Sequence, residues 1–148
     1  MFYHDKKEHM SPSALDQWFR QRSAFVGSYF EEKDRVDTKA MQAGRQIHRL
    51  IEGGMIPAKC SYAINEQEIK VRVPGTDFYF MGIPDSRTES KDGNESMFVD
   101  YKSGKANEWK EKLPTDIKMK ATAWLVWQEG GESAEVVKGA IEFIQTTW

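Results

Sequence analysis

A single cysteine, Cys60, is the only thiol in the chain. That excludes an internal disulfide framework, a CxxC redox pair and a cysteine-ligated iron–sulfur cluster. Long apolar runs are missing too. None approaches a membrane span, and the start Met1-Phe2-Tyr3-His4-Asp5-Lys6-Lys7 has no apolar stretch of the signal-peptide kind. A cytoplasmic protein with no membrane partner is the expectation. Proline, glycine and serine never gather into a linker, and no segment repeats. The 148 residues are therefore expected to form one domain, 1–148, with too little chain for a second core. No charge of one sign dominates. A formal net charge of -2 excludes a strongly basic nucleic-acid coat protein, though not a nucleic-acid enzyme.

What is present describes an ordinary globular chain, 39% hydrophobic and 30% charged. Its charge is spread unevenly. Residues 34–49 carry four basic groups against two acids, and residues 100–120 carry six lysines against four acids. Such local basic faces suit a phosphate backbone, and equally a solvated helix face. Ser11-Pro12 reads as an N-cap followed by a first-turn proline, opening a helix that runs to about residue 25. A second helix is predicted over 38–52, where Ile47, His48 and Ile51 recur at helical spacing before Gly53-Gly54. The pattern then becomes extended. Residues 62–73 and 78–83 read as two strands joined by Pro74-Gly75-Thr76-Asp77, and 96–102 as a third. A helix over 115–129 and a strand over 135–145 complete an α/β domain, expected to have one mixed central sheet flanked by helices.

Two carboxylate motifs end neighbouring predicted strands: Gly82-Ile83-Pro84-Asp85 and Val99-Asp100-Tyr101-Lys102. Strand alternation sends Asp100 and Lys102 to one face and Tyr101 to the other. Two acids and a lysine gathered in this way can hold a divalent cation beside an ammonium group. Phosphodiester hydrolysis needs that combination: the cation polarises phosphoryl oxygens and acidifies water, while the lysine orients that water or offsets developing charge.

Pro84-Asp85, fourteen residues, then Asp100-Tyr101-Lys102 resembles the signature of the PD-(D/E)XK nuclease superfamily. Three further segments resemble its RecB-like exonuclease group, in the group's order. These are the S-x-S opening at Ser11-Pro12-Ser13, the G-x-x-x-H helix at Gly44 to His48, and Phe98-Val99-Asp100-Tyr101-Lys102-Ser103-Gly104-Lys105. The resemblance implies a restriction-endonuclease-like core and metal-dependent DNA cleavage, exonucleolytic by preference and leaving a 5′-phosphate. It implies a metal, Mg²⁺ or Mn²⁺ with Mn²⁺ favoured, held by His48, Asp85, Asp100 and the Tyr101 backbone carbonyl, with Lys102 at the nucleophilic water. It also implies DNA as partner, a possible recombination or helicase partner, and a phage or mobile-element role in recombination, repair or degradation, within the host cytoplasm. Where iron–sulfur members carry a cysteine this chain has a position near Gln21, so no cluster is inferred. Where the group carries Q-x-x-x-Y, the chain has Lys120 to Trp124.

Several residues admit two readings. His48 is a ligand or a packed core histidine. Arg45, Arg49, Lys105 and Lys120 contact DNA phosphates or form solvated faces. Glu66 and Glu68 both fall on the first strand, where the group often has a site-facing glutamate, and Glu68 is taken as the better placed accessory. Trp109 stacks on a base or packs against its own chain. Trp124 and Trp127 read as core. Two functions compete with an exonuclease: a structure-specific endonuclease that trims flaps, and a nuclease-fold module that binds DNA or protein without cutting.

Overall fold

The structure, a computed structural model, describes residues 9–29, 39–55, 62–88, 95–103, 106–130 and 135–144. Cys60, the loop around Gly93, and Lys105 lie outside them.

Helix α1 (Pro12–Arg20) starts where predicted: the Ser11 hydroxyl accepts a 3.1 Å hydrogen bond from the Ala14 N–H, with Pro12 at the first helical position. It ends sooner than predicted. Gln21 leaves helical geometry (φ -144°, ψ 73°), and α2 (Arg22–Tyr29) begins anew, so the single helix to about residue 25 is two. Edge-to-face packing of Trp18 on Phe25, centroids 5.2 Å apart, joins them. Helix α3 (Lys39–Glu52) buries Ile47 and stops at Gly53-Gly54, where Gly54 takes φ 73° and the Met55 N–H donates to the Leu50 carbonyl.

The expected single mixed sheet is instead two, each mixed. One has the order β1 (His9–Met10), β4 (Tyr79–Gly82), β3 (Ile69–Arg72). The other has the order β2 (Ile64–Asn65), β5 (Ser86–Arg87), β6 (Glu95–Ser103), β7 (Val136–Ile144). Two local events cause the split. The predicted strand over 62–73 breaks at Glu66, whose φ is 51°. The next strand stops at Gly82, before Pro84, which has no N–H for a ladder, and pairing resumes at Ser86 in the other sheet.

Helix α4 (Ile117–Glu129) connects the parallel pair β6 and β7 and packs against both sheets and α1. Asp116, itself buried, caps it by accepting from the Met119 N–H at 2.9 Å. Met119, Leu125 and Val126 form the core with Ile69, Phe80 and Phe98. At the far end of α4, Glu129 pairs with the buried Arg87 of β5 through both terminal guanidinium nitrogens, Nη1 and Nη2. No helix among the described residues is long and apolar enough to cross a membrane.

Candidate metal centre

Four elements supply the centre: β2, β5, β6 and α3. Asp85 sits between the two sheets, one residue before β5, and is buried to 7% exposure. Antiparallel pairing of β5 with β6 sets it beside Tyr101, whose N–H donates to Asp85 Oδ2 at 2.6 Å. Pairing of β2 with β5 brings Glu66 to the same place, where its N–H donates to the Asp85 carbonyl at 3.1 Å. From α3, His48 reaches across to β6.

His48 Nε2 lies 2.8 Å from the Tyr101 carbonyl oxygen. A carbonyl only accepts, so Nε2 carries a hydrogen, and the other ring nitrogen faces the acids. Nδ1 is 3.4 Å from Asp85 Oδ1 and 3.9 Å from Glu66 Oε1. His48, Glu66 and Asp85 thus offer three ligand atoms within 4.8 Å of one another, a group that could hold a metal ion. Asp100 adjoins it. On β6, Asp100 and Lys102 share a face as expected, with Lys102 Nζ 2.9 Å from Asp100 Oδ2, and Asp100 hydrogen-bonds Asp85.

The electrostatics are those of too many acids in too small a volume. Burial, and then its hydrogen bond to Asp85, push Asp100 upward. Burial also works to raise Asp85, but hydrogen bonds from His48, Asp100 and the Tyr101 N–H outweigh it and hold its carboxyl low. The two carboxyls are thus driven apart, Asp100 upward and Asp85 downward. Glu66 rises to about 7 through burial and the nearby charges of Asp85 and Glu52. His48 rises to about 9, the hydrogen bond to Asp85 outweighing burial. A divalent cation relieves this repulsion, and neutral imidazole with carboxylates is a donor set such ions accept. The residues fit a metal.

Three expectations shift. Glu68 is exposed and takes no part, whereas Glu66 joins the cluster. The Tyr101 carbonyl, expected on the metal, instead accepts from His48 and fixes its ring, a supporting role common around metal-bound histidines. Lys120 is exposed, two residues and about 200° around α4 from Lys118. It is Lys118 that lines the cleft of about 340 Å³, with Thr122 one turn further on, and the same cleft holds Ser13, His48, Asp85 and Asp100. The i, i+4 pair Lys118 and Thr122 was visible in the sequence, but only the helix phase selects it. Arg45 and Arg49 are exposed on α3. Trp124 packs edge-to-face on Phe80, 5.9 Å between centroids, in keeping with its core reading.

No family model matches this chain, and no curated protein does. Among solved structures, the crystal structure of SSO0001 is similar over 97% of this chain and 64% of that one, with 14% identity and a TM-score of 0.42. This chain therefore spans a little under two thirds of that protein's length, and a likeness of this strength carries no argument about function.

Proposed function

We propose that the chain is a divalent-metal-dependent deoxyribonuclease of the PD-(D/E)XK kind, with a restriction-endonuclease-like core, that hydrolyses DNA phosphodiester bonds. One observation carries the reading: an imidazole and two acids, His48, Asp85 and Asp100, meet in a cleft whose wall bears Lys118, with Glu66 grouped with His48 and Asp85 and Lys102 paired to Asp100. His48, Glu66 and Asp85 would hold the ion, with Asp100 bridging from Asp85. When bound, the ion polarises the phosphoryl group and lowers the pKa of a water. Lys102, tied to Asp100, orients that water and offsets developing negative charge. Lys118 offers a cation to the substrate's phosphates from the α4 side. Imidazole ligation moves preference from Mg²⁺ toward Mn²⁺.

The sequence resemblance favours exonuclease action with a 5′-phosphate product, in phage or mobile-element DNA recombination, repair or degradation, within the cytoplasm and alongside a recombination or helicase partner. The test is digestion of end-labelled linear and circular DNA, single- and double-stranded, with Mn²⁺, Mg²⁺ or chelator. Cleavage of linear DNA alone supports the exonuclease, and attack on circles or flaps makes it an endonuclease. Binding without cleavage under every metal would leave a non-cutting module. Asp100→Ala and Lys102→Ala should each abolish cleavage, with only the first weakening metal binding.

A further inference from the structure

Trp109 closes the short 3₁₀ turn Ala106–Trp109 that follows β6. Its side chain is half-buried, yet it belongs neither to the core cluster nor to the apolar residues packed against it. It faces cations instead. Lys102 Nζ lies 5.0 Å from the ring centroid and Lys112 Nζ 5.7 Å. The same Lys102 ammonium is 2.9 Å from Asp100 Oδ2.

A lysine side chain rotates about four bonds, and a single carboxylate contact leaves its head free to swing around that oxygen. A ring face on another side removes this freedom. It does so without neutralising the charge, since the attraction is to the ring's quadrupole and no hydrogen need be surrendered to a strong acceptor. The ammonium keeps hydrogens for a water or a phosphoryl oxygen. From these contacts we infer that Trp109 is a positioning residue, holding the Lys102 ammonium between its indole and Asp100. This inference rests on the nuclease reading above.

The test compares the full chain with Trp109→Phe and Trp109→Leu, by kcat and KM on linear DNA in Mn²⁺, together with the Trp109 indole N–H signal in chelator without DNA. Trp109→Leu should lower kcat about tenfold with KM changed less than about twofold, while Trp109→Phe, which keeps a ring face, should stay within about threefold of the parent. Lys102→Met should move the Trp109 indole signal. A raised KM at unchanged kcat would make Trp109 a base-stacking platform and overturn the inference. So would unchanged kinetics in Trp109→Leu, an indole signal indifferent to Lys102→Met, or equal losses in both variants with lowered melting temperatures. A parent that cleaves no DNA sinks the nuclease reading itself, and the indole signal then still reports whether the Lys102 clamp exists.

Discussion

Glu66 turns its backbone into the left-handed region, φ 51°, which costs a residue with a Cβ about 1–2 kcal/mol. The turn takes it out of the strand and sets its carboxyl beside Asp85. Its raised pKa gives a signed expectation. The folded value is about 7 against an ordinary 4.5, so the stability Glu66 contributes is present below 4.5 and lost as pH rises through 7. At pH 8 in chelator, Glu66→Gln should therefore be more stable than the parent by about 1 kcal/mol after solvent screening, roughly 3 °C in Tm. Mn²⁺ should reverse the order, because the parent gains a ligand's worth of binding that the variant lacks. Thermal melts at pH 4.5 and 8, with chelator and with Mn²⁺, check both halves, and equal Mn²⁺ stabilisation of the two proteins would remove Glu66 from the site. His48 gives a second expectation. Its folded value of about 9 exceeds 6.5, so its stabilising contribution is complete below 6.5 and lost as pH rises through 9. The difference in urea midpoint between the parent and His48→Gln, in chelator, should shrink across that window, and a difference independent of pH would contradict the His48–Asp85 contact. At this scale the sequence displayed Asp85, Asp100, Lys102 and His48 because motif spacing carries them. Choosing Glu66 over Glu68 was beyond it: alternation puts both on one strand face, and only the kink at Glu66 separates them.

Helix α4 and strand β7 are where packing leaves least room. A Cβ on Gly139 would meet Phe98 Cζ at 2.5 Å, its Cε1 at 2.8 Å and Met119 Cε at 3.2 Å, because Gly139 lies directly beside Phe98 in the parallel register. Gly139→Ala should then destabilise the protein by about 1–3 kcal/mol, roughly 3–10 °C in Tm. Adding Phe98→Leu should return part of the loss, since it removes the ring atoms that clash. A single variant that melts with the parent would mean that Phe98 has an alternative rotamer the packing tolerates. Elements of this kind were largely legible. Helix 38–52 became Lys39–Glu52, strand 96–102 became Glu95–Ser103, and helix 115–129 lost its first two residues, Thr115 to a 3₁₀ turn and Asp116 to the N-cap. Periodicity and caps encode these, and a boundary moves by a residue or two. The break at Gln21 carries no proline or glycine, and is set by the packing of Trp18 on Phe25 rather than by local propensity. The division into two sheets depends on which strands pair across Pro84, information that lies in contacts between distant residues.

Across the whole molecule the charges nearly cancel, at -2, yet they are sorted in space. Asp85 and Asp100 line the cleft, while α3 carries the exposed Arg45 and Arg49 on the helix that presents His48, and α4 carries the exposed Lys120 about 200° around from the cleft-lining Lys118. A polyanion lying along α3 and α4 would meet these exposed cations outside the cleft, with Lys118 the one that lines it. If the duplex lies across α3 and α4, each lysine or arginine at a phosphate displaces condensed counterions, and log Kd varies with log salt by about 0.9 per contact. Measured by anisotropy in chelator, where the acids repel DNA and no cleavage intervenes, Arg49→Ala combined with Lys120→Ala should flatten the slope by roughly 1.8. Lys118→Met should flatten it by about 0.9 on its own, and should also weaken binding when Arg49 and Lys120 are already replaced, because it contacts a different phosphate. Both effects should be the same for unrelated DNA sequences, since a phosphate carries no base identity. A slope unchanged by the Arg49→Ala, Lys120→Ala pair but reduced by Lys118→Met would confine the DNA to the cleft and leave Arg49 and Lys120 as a solvated face. A slope unchanged in all of them would move the DNA path off α3 and α4 altogether.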